Sequence, residues 1–251
     1  MASKFEVFAA LHVPGDPVIL YNVWDPGSAQ AVARAGAMAI ATGSHPVGDS
    51  SGFGDGQQVP IDFVLDNAKR VAGAVELPVT VDFESAYAVE AEETGANVAR
   101  LKATGAIGCN FEDQVIGGEG LHPLDRQCRR IEAIREAVGP EFFINARTDL
   151  FLKTEAHDNA LVDEVIERGR AFADSGASGF FVPRLADPKQ VERVVGDVPL
   201  PLNLIAFPGA PPNRDWANAG VARISYGPFP HRALMKQLEE MAQAAIKSVN
   251  G

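Results

Sequence analysis

Short apolar runs alternate with helical segments along the whole chain, and no other feature narrows the choice of fold so strongly. Each run lacks a polar alternation, as is typical of a strand that is buried on both faces. We expect eight strands, over residues 18–23, 38–42, 79–82, 106–112, 142–147, 179–183, 202–206 and 222–226. Helices are predicted between and after them, over residues 29–34, 62–75, 89–103, 125–138, 161–174, 188–194, 214–219 and 231–249.

This order of elements predicts repeated βα units, which form parallel strands joined by right-handed crossovers. The entries to the strands alternate between a glycine that ends a helix, as at Gly36 and Gly105, and a proline, as at Pro78 and Pro140. The alternation favours an α/β fold whose units close into a (β/α)8 TIM barrel, and the alternative is an open doubly wound sheet. A length of 251 residues suits one such barrel, so we expect a single domain over residues 1–251.

The net charge of the chain limits which partners it can bind, and its cysteine content indicates the compartment in which it works. Lys and Arg total 22 and Asp and Glu total 33, and the formal net charge of −11 argues against a nucleic acid or an anionic membrane as partner. We find no signal peptide and no apolar run of membrane-spanning length. Two cysteines, Cys109 and Cys128, are too few for a disulfide framework, and we expect reduced thiols in a cytoplasmic protein.

Acidic residues cluster at the carboxyl ends of two predicted strands, where the active site of a (β/α)8 barrel lies. Asp82 and Glu84 stand two residues apart at the end of the third strand, so that both would point to one side of it, and Glu112 ends the fourth. Three carboxylates in one barrel mouth repel each other, and a hard divalent cation, Mg²⁺ or alternatively Mn²⁺, relieves that repulsion. The alternative is that they are solvated acids that cap the following helices. Arg147, at the end of the fifth strand, faces them across the mouth.

Other polar features near the strand ends are open to two interpretations or argue against a class of enzyme. Two Gly-rich segments, at residues 48–56 and 115–120, are either lids that close over a substrate or plain connections. His45 follows the second strand and is either a functional residue or a surface histidine. No lysine lies within or at the end of a predicted strand, and Lys153 lies just beyond the fifth, which argues against a Schiff-base aldolase.

Four motifs stand in order at the strand ends: Tyr-Asn-Val-Trp-Asp at 21–25, Asp-Phe-Glu at 82–84, Phe-Glu-Asp-Gln at 111–114 and Ile-Asn-Ala-Arg-Thr-Asp at 144–149. Together they resemble the isocitrate lyase/phosphoenolpyruvate mutase superfamily, and most closely its short, carboxyvinyl-carboxyphosphonate phosphorylmutase-like branch. The resemblance implies a (β/α)8 barrel whose last helix, here within 230–251, packs on a neighbouring subunit of a homotetramer built as a dimer of dimers. It also implies Mg²⁺ and a small anionic 2-oxo acid, in which a bond at C3 is made or broken through an enolate-like intermediate.

The resemblance assigns metal-binding and catalytic roles residue by residue. Asp82 resembles the direct metal ligand, and Glu84 and Glu112 resemble the acids that hold the ion directly or through water. Asp55 resembles a further acid of that water network, and Arg147 resembles the arginine that binds the charged end of the substrate. Asp55 and Arg147 are therefore the candidate catalytic residues.

The resemblance also supplies the candidate substrate-binding residues, which lie on strand ends and on the loop after the second strand. Ser44 and His45 match the loop that holds the substrate carboxylate. The full candidate set is Tyr21, Ser44, His45, Arg147 and Asn203.

The chain departs from the superfamily pattern in the loop after the fourth strand. Residues 114–122 contain neither the Lys-x-Cys-Gly-His motif of the lyase branch nor the Lys and Asn-Ser of the mutase branch. Pro46 offers no N–H at a position where the family binds the carboxylate. We expect an Mg²⁺-dependent lyase that acts on a small 2-oxo acid, or a C3-substituted derivative, by carbon–carbon cleavage or decarboxylation. The alternatives are a carbon–phosphorus bond mutase or hydrolase of the phosphonopyruvate type, and a barrel that binds a 2-oxo acid without turning it over.

Overall fold

The computed structural model describes residues 2–248, and eight strands within them form one parallel sheet. The strands are β1 (Val18–Leu20), β2 (Ile40–Ala41), β3 (Val79–Asp82), β4 (Gly108–Glu112), β5 (Phe143–Arg147), β6 (Gly179–Phe181), β7 (Leu202–Ile205) and β8 (Arg223–Ser225). Their order around the sheet is β1-β8-β7-β6-β5-β4-β3-β2. A parallel bridge between Val23 and Thr42, just beyond β1 and β2, joins the two ends of the sheet. The predicted (β/α)8 barrel is therefore confirmed.

Helices follow the strands in the predicted alternation. They are α1 (Lys4–Ala10), α2 (Pro26–Arg34), α3 (Ser44–Ser50), α4 (Ile61–Gly73), α5 (Ala91–Lys102), α6 (Leu124–Val138), α7 (Leu150–Lys153), α8 (Asn159–Asp174), α9 (Pro188–Asp197), α10 (Asn213–Asn218) and α11 (Phe229–Lys247). The helices α1, α3 and α7 were not predicted, and α3 includes the beginning of the first Gly-rich segment. Val249, the predicted end of the last helix, lies outside the described residues.

The amino-terminal end of the barrel is filled by aromatic side chains. A capping box formed by Ser3 and Glu6 starts α1, which carries Phe8 into the barrel end. The Phe8 ring lies edge-on to that of Phe143, with centroids 5.2 Å apart, and both rings are buried. Apolar filling at this end leaves the opposite, carboxyl end as the open mouth.

Asn22 holds three strands together at that mouth. Its side-chain nitrogen donates to the carbonyl of Thr42, 2.9 Å away, beyond β2. Its side-chain oxygen accepts from the backbone N–H groups of Tyr226 at 2.9 Å and Gly227 at 2.7 Å, beyond β8. One buried amide thus completes the backbone hydrogen bonding where the barrel closes.

The last helix leaves the barrel. His231 is buried, but every described residue of the chain from 232 to 248 is exposed. The exposed face includes the large apolar side chains Leu234, Met235, Leu238, Met241 and Ile246. The exchange of this helix between subunits stays a prediction. In the described part of the chain, none of the helices combines the length and hydropathy required to cross a bilayer.

Candidate active site

A cavity of about 290 Å³, here called the mouth cavity, opens at the carboxyl ends of the strands. The carboxyl halves of the strands, the segments that follow them and the first turn of α11 form its walls, because parallel strands bring all their carboxyl ends to one side. Of the residues predicted from the sequence, five line it: Ser44, His45, Asp55, Asp82 and Arg147.

Asp82 ends β3 with its carboxylate at the cavity wall. Its Oδ2 accepts hydrogen bonds from the backbone N–H of Ser44 at 3.1 Å and from the Ser44 hydroxyl at 2.9 Å. Its Oδ1 lies 3.4 Å from the side-chain nitrogen of Asn110, which donates from β4. The carboxylate therefore accepts a backbone N–H at the start of α3 that has no partner within the helix. In this arrangement both hydrogen-bond donors of Ser44 bind Asp82.

Glu84 does not continue the strand geometry on which its prediction rested. β3 ends at Asp82, and Glu84 has a φ of 51°, so the alternation of side chains does not extend to it. Its carboxylate accepts from the N–H of Gln57 at 2.8 Å and from the Tyr87 hydroxyl at 3.2 Å. Burial, helped by the nearby charges of Asp82 and Asp55, raises the pKa of Glu84 to about 7. The acids at the mouth are thus close enough to repel each other.

Glu112 and Arg147 form an ion pair between β4 and β5. A guanidinium nitrogen of Arg147 lies 2.8 Å from Oε2 of Glu112, and two others donate to Asp149 at 2.6 and 2.9 Å. Burial opposes the charge, but Glu112 and Asp149 outweigh it and hold the pKa of Arg147 well above its ordinary value. Arg147 faces the cavity as predicted, yet two acids of the protein already neutralise it.

His45 lies between the carboxylate of Asp55 and the guanidinium of Arg232 at the cavity wall. Its Nδ1 is 3.7 Å from Oδ2 of Asp55, and Arg232 of α11 donates to its Nε2 at 3.1 Å. An arginine only donates, so Nε2 carries no proton in this arrangement. The loop after β2 and the last helix therefore meet at His45.

Two of the predicted substrate-binding residues, Tyr21 and Asn203, lie outside the mouth cavity, and their roles stay predictions. Tyr21 is 44% exposed, packs at 5.2 Å from the Tyr226 ring, and borders a groove on the outer surface of the barrel. Asn203 is fully buried inside the barrel, where it accepts from Asn145 at 2.9 Å and donates to the carbonyl of Leu204 at 2.6 Å. Neither side chain borders the mouth cavity.

The donor atoms at the mouth suit an ion that keeps most of its own water. Within residues 2–248, no group of three His, Cys, Asp or Glu side chains forms a ready-made metal cage. Of the three predicted ligands, only Asp82 borders the mouth cavity, whereas Glu84 and Glu112 are held by other partners. Mg²⁺ is commonly held by one or two carboxylates together with several waters, so this donor set fits it.

The mouth cavity also holds two arginines that the sequence analysis did not select. Arg184 directly follows β6, and Arg232 lies in the first turns of α11. The position of Arg184 after a predicted strand was a usable signal. No sequence signal pointed to Arg232, because the last helix was expected to pack on a neighbouring subunit rather than to border the site.

Comparisons with known proteins agree with this architecture. The profile of the phosphoenolpyruvate phosphomutase family matches residues 8–246. An uncharacterized protein of Mycobacterium tuberculosis is 32% identical over 237 residues, which cover 94% of this chain and 88% of that protein. The 2-methylisocitrate lyase of Escherichia coli is 28% identical, covering 95% of this chain and 83% of its own length. The oxaloacetate decarboxylase of Ectopseudomonas mendocina is 29% identical, with coverages of 81% and 69%.

Solved structures are similar over nearly the whole chain. A Burkholderia cenocepacia protein described as a candidate phosphonomutase superposes with a TM-score of 0.93 at 41% identity, covering 96% of this chain and 98% of that one. A phosphonopyruvate hydrolase in complex with oxalate and Mg²⁺ shares the fold, with a TM-score of 0.86, 21% identity, and coverages of 100% and 89%. The chain therefore belongs to the phosphoenolpyruvate phosphomutase family, within the isocitrate lyase/PEP mutase superfamily of enzymes.

Proposed function

We propose that this protein is an Mg²⁺-dependent lyase that acts on a small 2-oxo acid, or a C3-substituted derivative, through an enolate-like intermediate. The bond broken is a carbon–carbon bond, by cleavage or decarboxylation. One observation carries the proposal: the carboxylate of Asp82, with its Ser44 partner, borders a cavity at the barrel mouth that three arginines also line. Such a cavity combines an oxygen ligand for a hard cation with positive charge for an anionic substrate.

Asp82 would hold the ion directly, and Glu84, Glu112 and Asp55 would hold it through water. Mn²⁺ is the alternative ion, since it takes the same oxygen ligands. When bound, the ion supplies positive charge that stabilises the negative charge developing on the substrate oxygens. The relation to a phosphonopyruvate hydrolase that binds oxalate and Mg²⁺ on the same fold supports this assignment.

The remaining residues would bind and orient the substrate. His45, whose Nδ1 lies 3.7 Å from Asp55, would accept a hydrogen bond from the substrate at Nε2 in place of the one from Arg232. Arg147, kept charged by Glu112 and Asp149, would stabilise the substrate carboxylate without giving up its own partners. Phe181 lies buried at the cavity wall and would exclude water from the reacting carbon.

The reaction type rests on the relatives. The similarity to 2-methylisocitrate lyase and to oxaloacetate decarboxylase supports carbon–carbon bond cleavage or decarboxylation. A carbon–phosphorus bond mutase or hydrolase of the phosphonopyruvate type is the second candidate, and the similarity at 41% identity to a candidate phosphonomutase favours it. The third is a barrel that binds a 2-oxo acid without turnover, because the loop at residues 114–122 lacks the Lys and Cys of its relatives.

A panel of substrates with one pair of variants tests the proposal. Oxaloacetate, 2-methylisocitrate and phosphonopyruvate are incubated with the enzyme and Mg²⁺, and pyruvate and phosphate release are measured. We expect pyruvate from one carbon substrate, its loss in Asp82→Asn and with EDTA, and its retention in the surface control Asp125→Asn. Turnover that survives both Asp82→Asn and EDTA would contradict the proposal. Phosphate release would favour a hydrolase as the second candidate and phosphoenolpyruvate formation a mutase, whereas Mg²⁺-dependent oxalate binding without any of these products would favour the third.

We also propose that the protein works in the cytoplasm as a homo-oligomer, with a tetramer as the expected assembly. Cys109 and Cys128 are free thiols in the structure, as is typical of a reducing compartment. Cys109 is fully buried, and burial raises the pKa of its thiol to about 12, so it has no reactive role in the proposed chemistry.

A further inference from the structure

Arg130 of α6 is a buried cation without an acidic partner. Its side chain is fully buried, and among residues 2–248 it forms no ion pair with a carboxylate. The guanidinium lies over the ring of Phe111, 4.7 Å from its centroid. Burial lowers the pKa of Arg130 to about 10. A buried charge is costly, so the hydrogen bonds that this arginine donates must offset its burial.

The hydrogen bonds of Arg130 reach the segment that follows β3 and carries Glu84. Its Nη2 lies 2.8 Å from each of three acceptors, which are the carbonyl and the hydroxyl of Ser85 and the carbonyl of Ala88. All three acceptors are uncharged oxygens. Arg130 therefore binds the backbone next to Glu84 and leaves the carboxylate of that residue unoccupied.

The backbone of this segment needs such support. Three of its residues have a positive φ, with values of 51° at Glu84, 58° at Ala86 and 58° at Tyr87. None of them is a glycine, and residues with a Cβ seldom occupy this region. A strained segment persists only where the surrounding structure imposes its conformation. The contacts of Arg130 are part of what imposes it here.

Gln127 links the same arginine to the end of β4. Its side-chain oxygen accepts from Nη1 of Arg130 at 2.6 Å, and its side-chain nitrogen donates to the carbonyl of Glu112 at 3.2 Å. A spacing of three residues places Gln127 and Arg130 on one face of α6. The N–H of Glu112 in turn donates to the carbonyl of Glu84 at 2.9 Å. One face of α6 thus holds both acid-bearing segments against each other.

We propose that Arg130 and Gln127 are positioning residues that fix where Glu84 and Glu112 stand relative to Asp82. Neither of the two borders the mouth cavity, so they act through the backbone that they bind and not on a substrate. The inference rests on the proposed function, because it takes these acids to surround an ion held by Asp82. Partners that orient metal-binding groups from behind commonly contribute tenfold to hundredfold to metal affinity.

The affinity of the metal-free protein for Mn²⁺, measured from the paramagnetic resonance signal of the free ion, tests the proposal without any substrate. Arg130→Gln should weaken binding about tenfold to hundredfold. Arg130→Lys can still donate to the oxygens of Ser85 and Ala88 and should recover part of the affinity. Gln127→Met breaks the link to β4 and keeps the arginine, and it should weaken binding at least about threefold.

Arg135→Gln is the matched control on the same helix. Arg135 also donates to backbone carbonyls, those of Gly139, Phe142 and Gly176, but these precede β5 and β6 at the closed end of the barrel. Its loss should leave Mn²⁺ affinity within about twofold, because the mouth is untouched. Equal losses of affinity in Arg130→Gln and Arg135→Gln, or no loss in Arg130→Gln and Gln127→Met, would overturn the inference.

Amide hydrogen exchange in the metal-free protein gives a second measurement that does not depend on the ion. The amides of Ala86 and Glu112, which donate to the carbonyls of Phe83 and Glu84, report on the two segments. Arg130→Gln should speed their exchange at least about tenfold, and Arg135→Gln should not. If the wild type binds no Mn²⁺, the proposed function fails and the exchange decides alone. Faster exchange in Arg130→Gln only then upholds the positioning role, and the same exchange in both variants overturns it.

Discussion

Glu112 and Arg147 occupy paired positions on β4 and β5, and Oε2 of the acid lies 2.8 Å from a guanidinium nitrogen of the arginine. Glu112 is 4% exposed, and Asp149, which binds the other edge of the guanidinium, is fully buried. One arginine therefore compensates two buried negative charges at the barrel mouth. Its charge stabilises the folded mouth before any ligand arrives.

Arg147→Gln should destabilise the protein strongly, because it leaves Glu112 and Asp149 buried without their cation. We expect a loss of about 3–5 kcal/mol in the free energy of unfolding, the usual result when one partner of a buried pair is removed. Urea unfolding at pH 7.5 measures it. The matched control Arg129→Gln breaks an exposed pair with Asp125 and should cost at most about 1 kcal/mol. Equal losses in the two variants would show that the buried pair is not the stabilising element.

The barrel could be predicted because its signals are local and repeated. Strands buried on both faces read as apolar runs, and the polar residue after each run marks the strand end, as for Asp82 and Arg147. The helix α3 was missed because Gly43 and Pro46 at its start are poor helix formers. It forms because the carboxylate of Asp82, distant in sequence, accepts the N–H and hydroxyl hydrogens of Ser44.

The direction of side chains at the mouth could not be read from the sequence. In a strand without polar alternation, nothing shows which residues face the barrel interior, so Tyr21 was chosen although its neighbour Asn22 borders the cavity. Asn203 was expected at a ligand and lies deeper, bonded to other polar groups of the interior. The direction of the Glu84 side chain was missed for a different reason, since its positive φ takes it off the strand.

Stability should fall in acid partly through His12, which lies at the closed end of the barrel. Burial, with the charge of Arg223, lowers the pKa of His12 to about 3, and its Nε2 is buried without a hydrogen-bond partner. Between about pH 6.5 and 3 the unfolded chain binds a proton at His12 that the folded chain excludes. The contribution of neutral His12 to the free energy of unfolding is therefore fully present above pH 6.5 and is lost as the pH falls.

The measurement is the difference in unfolding free energy between wild type and His12→Phe at pH 7.5, 6.0 and 5.0. Phenylalanine keeps the stacking on Phe143, whose ring centroid lies 4.3 Å from that of His12. The free energy of unfolding of the variant should therefore rise relative to that of the wild type by about 1 kcal/mol for each pH unit below 6.5. A difference that does not change with pH would show that His12 does not titrate between the two states.

Gly95 in α5 should not tolerate alanine, although alanine is the better helix former. A Cβ at this position would lie 2.7 Å from the carbonyl oxygen of Ala133, in the backbone of α6. We expect Gly95→Ala to destabilise by about 1–3 kcal/mol, because the two helices must move apart. Gly73→Ala, at a position with nothing within 4 Å of the new Cβ, should instead gain up to about 1 kcal/mol. A thermal melt of both variants checks the sign, and a gain in Gly95→Ala contradicts the packing argument.

The exposed face of α11 and a groove on the barrel both carry exposed apolar side chains. The groove, of about 650 Å³, lies between β1 and α2 and includes the exposed side chains of Val13, Ile19 and Met38. On α11, Leu238 and Met241 are 58% and 64% exposed. Because α11 turns away from its own barrel, we propose that the α11 of a second copy covers this groove.

Leu238→Glu should therefore separate the subunits. Removing one large apolar contact and burying a charge at each copy of the interface should weaken association by at least about 2 kcal/mol per helix, roughly thirtyfold. Ile19→Glu in the groove should have the same effect, because it disturbs the other side of the contact. Gln243→Glu adds the same charge to the opposite face of α11 and should leave the assembly intact. Size-exclusion chromatography with light scattering over a range of concentrations gives the mass of each variant. A monomeric wild type, or an unchanged mass in both Leu238→Glu and Ile19→Glu, would refute the exchange.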